Sequence, residues 1–451
     1  MTVARSLAEF LTRVSYADLP PRAIDHAAML IASTLASAAL GSGIASSTII
    51  RALARERGGR PEASIWFDSG PKLPVADAGQ VNAVMSDAAA SDDSDLRNIV
   101  HAGTTLVSTG LAMAERTGAS GQDVLAAIVL GYEASGRIGA AITPGFRTKG
   151  FHGCLVAIFG GTVATGRLLG LDAAHMAQAI ALSATSMGGL AAAANTSVAR
   201  EYHAGLAAML GMHAALAAQK GYIAEESILE TRQGFFAVYG GADGVGILSD
   251  LGREWDIITD MAIKLVPGGH PSHALAEAAA NAARAGHVSA DEVDTITLSR
   301  PGVTALSGPV HPTDLIGMAH SPAYFLAAGV ADQDFSWVHA TEAKITDPVI
   351  HQLLDKVRVG EPPSEHVERY KQGATVTIRT KDGRTFSNTV YAPKGSGILG
   401  IDWNDVDAKY RTLVPQAQLR DRQIEASLQV IHDFRHVTHV SALTDLLQAR
   451  S

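Results

Sequence analysis

The sequence predicts a mainly α protein, with a large all-helical domain and a smaller α+β domain. Three observations carry that prediction. Apolar residues recur at helical spacing through the first 260 or so positions. Period-two alternation of any length appears only beyond them. The composition is 47% hydrophobic but only 5% aromatic, with 44 glycines, and small residues used this heavily let helices approach closely. At ~150 residues per domain, 451 residues make about three domain-equivalents, or two if one is large.

The elements follow in order. Leu7, Phe10, Leu11 and Val14 keep helical spacing, and Asp18-Leu-Pro-Pro ends that helix. Pro21 opens the next, where its missing N–H costs nothing. Helices are then expected over 75–90, 104–117, 121–142, 153–169, 173–187, 204–220 and 224–230, with no strand before about 260. Val293–Ser299 and Ala374–Thr380 alternate as half-buried strands. Lys381-Asp-Gly-Arg carries a tight-turn signature, and Thr385–Tyr391 returns as the partner strand. Helices at 273–285, 321–329 and 348–356 complete this unit. Helices then return at 403–413, 420–432 and 440–449, a block too small to bury a core alone. It is expected to pack back on the first block. The domains are therefore 1–262 with 398–451, a discontinuous helical domain, and 263–397, the α+β domain.

Composition excludes several functions. A net charge of −9 argues against nucleic-acid binding, which needs a basic face, and against an anionic membrane surface. The single cysteine, Cys154, rules out an intramolecular disulfide and a cysteine-based zinc site. Charges interrupt the first 20 residues, so they do not read as a secretion signal. Ala23–Leu40 carries Asp25 and His26 and falls short of a membrane span. A cytoplasmic location is expected. Gly-x-Ser-x-Gly, Walker and His-Glu-x-x-His motifs are absent. Gly241-Ala-Asp-Gly-Val-Gly lacks dinucleotide spacing and follows no strand.

Polar groups cluster instead at breaks between apolar helices. Asp92, Asp93 and Asp95 crowd one loop before His101, so one carboxyl is a candidate for a raised pKa; a solvated capping loop is the alternative. His152 stands at a helix start, where free N–H groups favour an anion, with Arg147 and Lys149 adding positive charge. A capping role in a Gly-rich turn competes. Arg200-Glu-Tyr-His203 is charged amid a stretch of few charges; it needs an anionic ligand or a partner such as Glu201. His270 and His273, three apart, share a helical face, but no motif supplies the remaining ligands of a metal. His320 and Tyr324 share another.

These landmarks, in this order, resemble the MmgE/PrpD family across nearly the whole chain. The carriers are Asp92-Asp93-Ser94 before His101-Ala-Gly, Gly150-Phe-His152 with Gly-Arg-Leu-Leu-Gly-Leu-Asp172 downstream, and Arg200-Glu-Tyr-His-Ala-Gly205. Ile263-Lys-Leu-Val-Pro267 with His273, Ser321-Pro-Ala-Tyr324, and Asp382-Gly with Pro393-Lys-Gly continue the series. Each motif is weak alone; the ordered set is specific. The resemblance implies a helical domain with an α+β lid, usually a homodimer. It implies cofactor-independent and metal-free proton chemistry beside a carboxylate of a small di- or tricarboxylate, as in 2-methylcitrate dehydratase, cis-aconitate decarboxylase and iminodisuccinate epimerase. Carried over, His101, His152, His273, Tyr324 and Asp93 become catalytic candidates. Asp92, Ser94 (where Thr is usual), Lys149, Arg200, His203 and His270 become substrate-binding candidates.

Three departures stand out, the first being a spacing from the Asp pair to His101 one residue longer than the family's. The family's Lys is Arg200, which cannot act as a base but can grip a carboxylate bidentately. The acid two residues before the Asp pair is Ala90. The expectation is a dehydratase-like lyase, with an epimerase or a non-catalytic carboxylate binder as alternatives, and with the imidazoles and Arg200 converging in one cleft.

Overall fold

The computed structural model describes residues 1–240 and 244–449; most of the Gly241-Ala-Asp-Gly segment therefore lies outside the described residues. The chain divides into two compact units, Met1–Ile263 with Ile401–Ser451, and Lys264–Gly400.

The first unit is a layered helical assembly. The Gly121–Ile142 helix starts on a capping box, Ser120 accepting the amide of Asp123 while the Asp123 carboxylate accepts the amide of Ser120. It packs on the Cys154–Leu168 helix at Gly131 and Gly160. A Cβ on Gly131 would lie 2.7 Å from the carbonyl oxygen of Gly160, so the two backbones meet only because both positions lack side chains. The Val75–Ala88 helix is apolar on nearly all sides because it packs against four helices, Pro21–Gly41, Ala45–Arg57, Ala102–Thr117 and Ala199–Gln219. Pro21–Gly41 and Gly121–Ile142 are long and apolar enough to cross a membrane, yet most of each is buried within the unit.

The returning tail joins this assembly. The Trp403–Leu413 helix packs on Pro21–Gly41. The amide of Gly121 donates to the carbonyl of Val437, and the amide of Phe67 to that of Leu447. Buried Lys409 donates to the hydroxyl of Ser33 (2.7 Å) and to the carbonyl of Ser91.

Several expectations need correction. Two three-residue strands do precede and reach residue 260: β1 (Asp93–Asp95) pairs antiparallel with β2 (Met261–Ile263). The 224–230 segment is turns, and within 440–449 only Ser441–Thr444 is helical. Three residues are too few to show a period, and isolated Ala and Leu pairs mimic a helix turn.

The second unit is a four-stranded sheet of order β4-β3-β5-β6. β3 is Val293–Ser299, β4 Val357–Val359, β5 Ala374–Thr380 and β6 Thr385–Val390. β4 runs parallel to β3, and the other pairs are antiparallel. Ala374, Val376, Ile378 and Thr380 alternate inward, and the His273–Gly286 helix packs on β5 and β6. β4 escaped the sequence reading because only Val357 of its three residues is fully buried.

Candidate active site

The first unit gathers its site around β1. Ala90 and Ile99, both non-glycine residues at positive φ (52° and 50°), bracket the strand. The amide of Gly103 donates to Asp93 Oδ1 (2.9 Å), which caps the Ala102–Thr117 helix, and the Tyr132 hydroxyl faces Oδ2 (3.4 Å). Asp93 is fully buried and holds backbone in place; its carboxylate is turned toward the helix start, so the expected catalytic role is replaced by a positioning one.

His101 is the last residue before that helix. Its Nδ1 lies 2.6 Å from the carbonyl of Asp93, 2.7 Å from Oδ2 of Asp92 and 3.3 Å from the Ser94 hydroxyl. A carbonyl only accepts, so Nδ1 carries the proton and Nε2 is the basic atom of the neutral ring. Asp92 behind it fixes the ring orientation through the same Nδ1.

His152 arrives from a different direction. The segments 150–152 and 189–191 pair, His152 donating its amide to Gly189 and Ala191 to Gly150, both at 2.9 Å. His203 lies one turn beyond Arg200 on the Ala199–Gln219 helix, and its ring centroid is 5.2 Å from that of His152. The Nδ1 atoms of His152 and His203 are buried without a hydrogen-bond partner among the described residues. Burial, followed by the positive fields of His101, His203, Arg200 and Arg147, pushes His152 well below the usual imidazole range. It is neutral at pH 7.

The fixed cations are anchored from behind. Arg200 donates Nε to Asp87 Oδ2 (2.8 Å) and Nη2 to the carbonyls of Asp87 (2.6 Å) and Ala88 (3.3 Å). Its partner is therefore Asp87, not Glu201, whose carboxylate takes the Ser46 hydroxyl. Among the described residues no bond is seen for Nη1, so Nε and Nη2 are turned to Asp87 and Ala88 rather than to a ligand. Asp87 had no sequence signal beyond being one of two acids, with Asp77, in an otherwise largely apolar helix. Arg147 donates to the carbonyls of Asn98 and Ile99, fixing the loop that carries His101; burial lowers it to about 10, still charged at pH 7. Lys149, expected beside the substrate, instead donates to the carbonyl of Val238 (2.6 Å).

The remaining carboxylate of the loop belongs to another cluster. Asp95 accepts the amides of Arg97 and Asn98 at 2.9 Å and is raised to about 7 by burial. Asp256 nearby is raised to about 8 by burial and then by Glu133, and it pairs with Arg97 at 2.8 Å. Glu133 pairs with Arg137.

In the second unit, the rings of His270 and His273 lie 4.6 Å apart, both buried, and Nε2 of His273 sits 3.3 Å from the carbonyl of Gly268. Tyr324 is fully buried in the core, with its hydroxyl donated to the carbonyl of His339 (3.0 Å) and its ring against Phe335. Its hydroxyl is engaged by the main chain, and burial raises its pKa. His320, on the same segment, lines a cavity of about 410 Å³ with Arg300.

The MmgE/PrpD N-terminal domain matches residues 5–247, and the MmgE/PrpD C-terminal domain matches residues 267–432. The chain belongs to the MmgE/PrpD family. Its relatives include a human protein named cis-aconitate decarboxylase, 25% identical over 100% of this chain and 95% of its own length. A mouse protein of the same name is 26% identical over 100% and 94%, and one from Aspergillus terreus is 25% identical over 99% and 96%. Within this family member the imidazoles and guanidinium groups come from separate stretches of the first unit: the β1 loop, the 150–152 turn and the Ala199–Gln219 helix.

Proposed function

We propose that this protein is a lyase acting on a small tricarboxylate of the cis-aconitate kind, moving a proton at the carbon beside a carboxylate. The observation that carries the reading is the pairing of two unlike imidazoles under fixed positive charge. His152 is held neutral by burial and by its cationic neighbours. His101 is held through Nδ1 by the Asp92 carboxylate and the Asp93 carbonyl, which leaves Nε2 free to exchange a proton. Two imidazoles held by different partners are what a division of proton transfers needs. The relatives' printed name supports a decarboxylating member of this class.

In this reading the site stabilises the developing carbanion by Arg147, Arg200 and the Cys154–Leu168 helix start. When the C–CO2 bond of an unsaturated tricarboxylate breaks, its electron pair shifts through the double bond to the carbon beside a remaining carboxylate. His101 delivers a proton there from Nε2. A hydroxylated substrate would use the same pair in the other sense, with His152 removing the proton and His101 protonating the leaving hydroxyl.

The test is incubation with cis-aconitate in deuterated water, following CO2 release and deuterium beside the carboxylate by NMR. Product carrying one deuterium is expected. Citrate-like hydroxy acids run in parallel separate dehydration from decarboxylation. A ligand that raises Tm with no exchange and no product on any substrate would make the protein a carboxylate binder instead.

A further inference from the structure

Cys154 has no part in the proton chemistry above. Its Sγ donates to the carbonyl of Gly188 at 3.2 Å, and its thiol is buried. Yet one ligand atom from each of His152, Cys154 and His203 lies within 4.8 Å of the other two. Gly189 is what allows this. A Cβ there would stand 2.7 Å from Sγ and 3.3 Å from Nδ1 of His203, so those two atoms face the same bare Cα.

We propose that His152, Cys154 and His203 form a binding site for a thiophilic divalent cation of the zinc class, and that occupancy blocks the imidazole pair. The donor chemistry selects the ion. Two imidazoles and one thiolate suit a borderline-soft cation and give Mg2+ or Ca2+ no oxygen cage. Three protein ligands leave the fourth tetrahedral position open to water or a carboxylate oxygen. A tetrahedral zinc centre needs donor separations of roughly 3.3–3.8 Å, so the site must contract by about 1 Å at its widest pair. Two buried ring nitrogens without partners are the groups that gain most from such a contraction. The balance is simple: the cation bonds two neutral imidazoles and the sulfur, and the thiol proton leaves to solvent, one per cation bound. The sequence reading excluded a cysteine-based zinc site because it counted cysteines; a mixed set needs only one.

The cation-binding half of this inference is independent of the proposed lyase activity, and the blocking half rests on it. The experiment uses the full chain with Co2+ and Zn2+ as probes. Wild type is expected to bind one Co2+ with a thiolate-to-cobalt charge-transfer band, and Zn2+ to displace it. Cys154→Ser is expected to lose the band and bind Zn2+ at least tenfold more weakly, with unchanged turnover in chelator. Since Cys154 is the sole cysteine, protection of the wild-type thiol from methyl methanethiosulfonate by Zn2+ reads the site without any variant. Equal Zn2+ affinity in Cys154→Ser, or no thiolate band and no protection, overturns the site. Full turnover under saturating Zn2+ overturns the blocking half. Normal metal binding with no turnover in chelator leaves the site standing and removes the lyase reading.

Discussion

Two polar clusters flank β1, and they are built to opposite ends. On one side Asp95, Asp256, Glu133, Arg97 and Arg137 neutralise each other through direct ion pairs. On the other side Arg200 is paired with Asp87 and the buried His152 is neutral, but Nδ1 of His152 and Nδ1 of His203 have no hydrogen-bond partner among the described residues. What differs is the remainder after internal pairing, and only a remainder can act on a ligand.

The sharpest way to break the comparison is His152→Ala. It should lower kcat/KM by at least about 100-fold with little change in Tm, because a buried nitrogen without a partner contributes no bond to lose. Activity assays paired with thermal melts check both halves. Asp87→Ala comes next. It strands Arg200, whose side chain is 13% exposed, and should cost about 3 kcal/mol in urea unfolding.

Asp95→Asn probes the neutralised side. The native carboxyl, raised to about 7, binds a proton that the unfolded chain has released above its ordinary value near 4. Wild type therefore loses stability relative to the variant as pH rises from about 4 to 7, at up to about 1 kcal/mol per pH unit. Denaturant titrations across that range should show the two stability curves diverging. The smallest effect belongs to Tyr324→Phe, which removes one buried hydrogen bond worth about 1 kcal/mol and should leave kcat unchanged. A kcat loss there would return the phenol to the chemistry.

These contrasts explain how far the sequence could be read. The Gly121–Ile142 helix, β3 and the Trp403–Leu413 helix were legible to the residue. Each carries a local signal: a Ser120–Asp123 capping box, alternation over Ile296–Ser299, and an Asp402 cap. His101, His152, His203 and Arg200 were legible as a motif series. Asp87 was not, since pairing across 113 positions leaves no local trace. Tyr324 misled for the converse reason: a motif names a residue but not where its hydroxyl ends up. Lys149 and Arg147 are two apart, and only the packed structure decides which one holds the His101 loop.

The bond from Lys409 to the carbonyl of Ser91 has a consequence for biogenesis. Ser91 immediately precedes Asp92, so the segment bearing the carboxylate behind His101 is fastened by a side chain more than 300 positions later. During synthesis the amino-terminal helices emerge long before that lysine does, and the intervening unit leaves the ribosome first. A nascent chain halted before the Trp403–Leu413 helix would hold every imidazole discussed above and still lack the lysine that fastens the backbone just before Asp92.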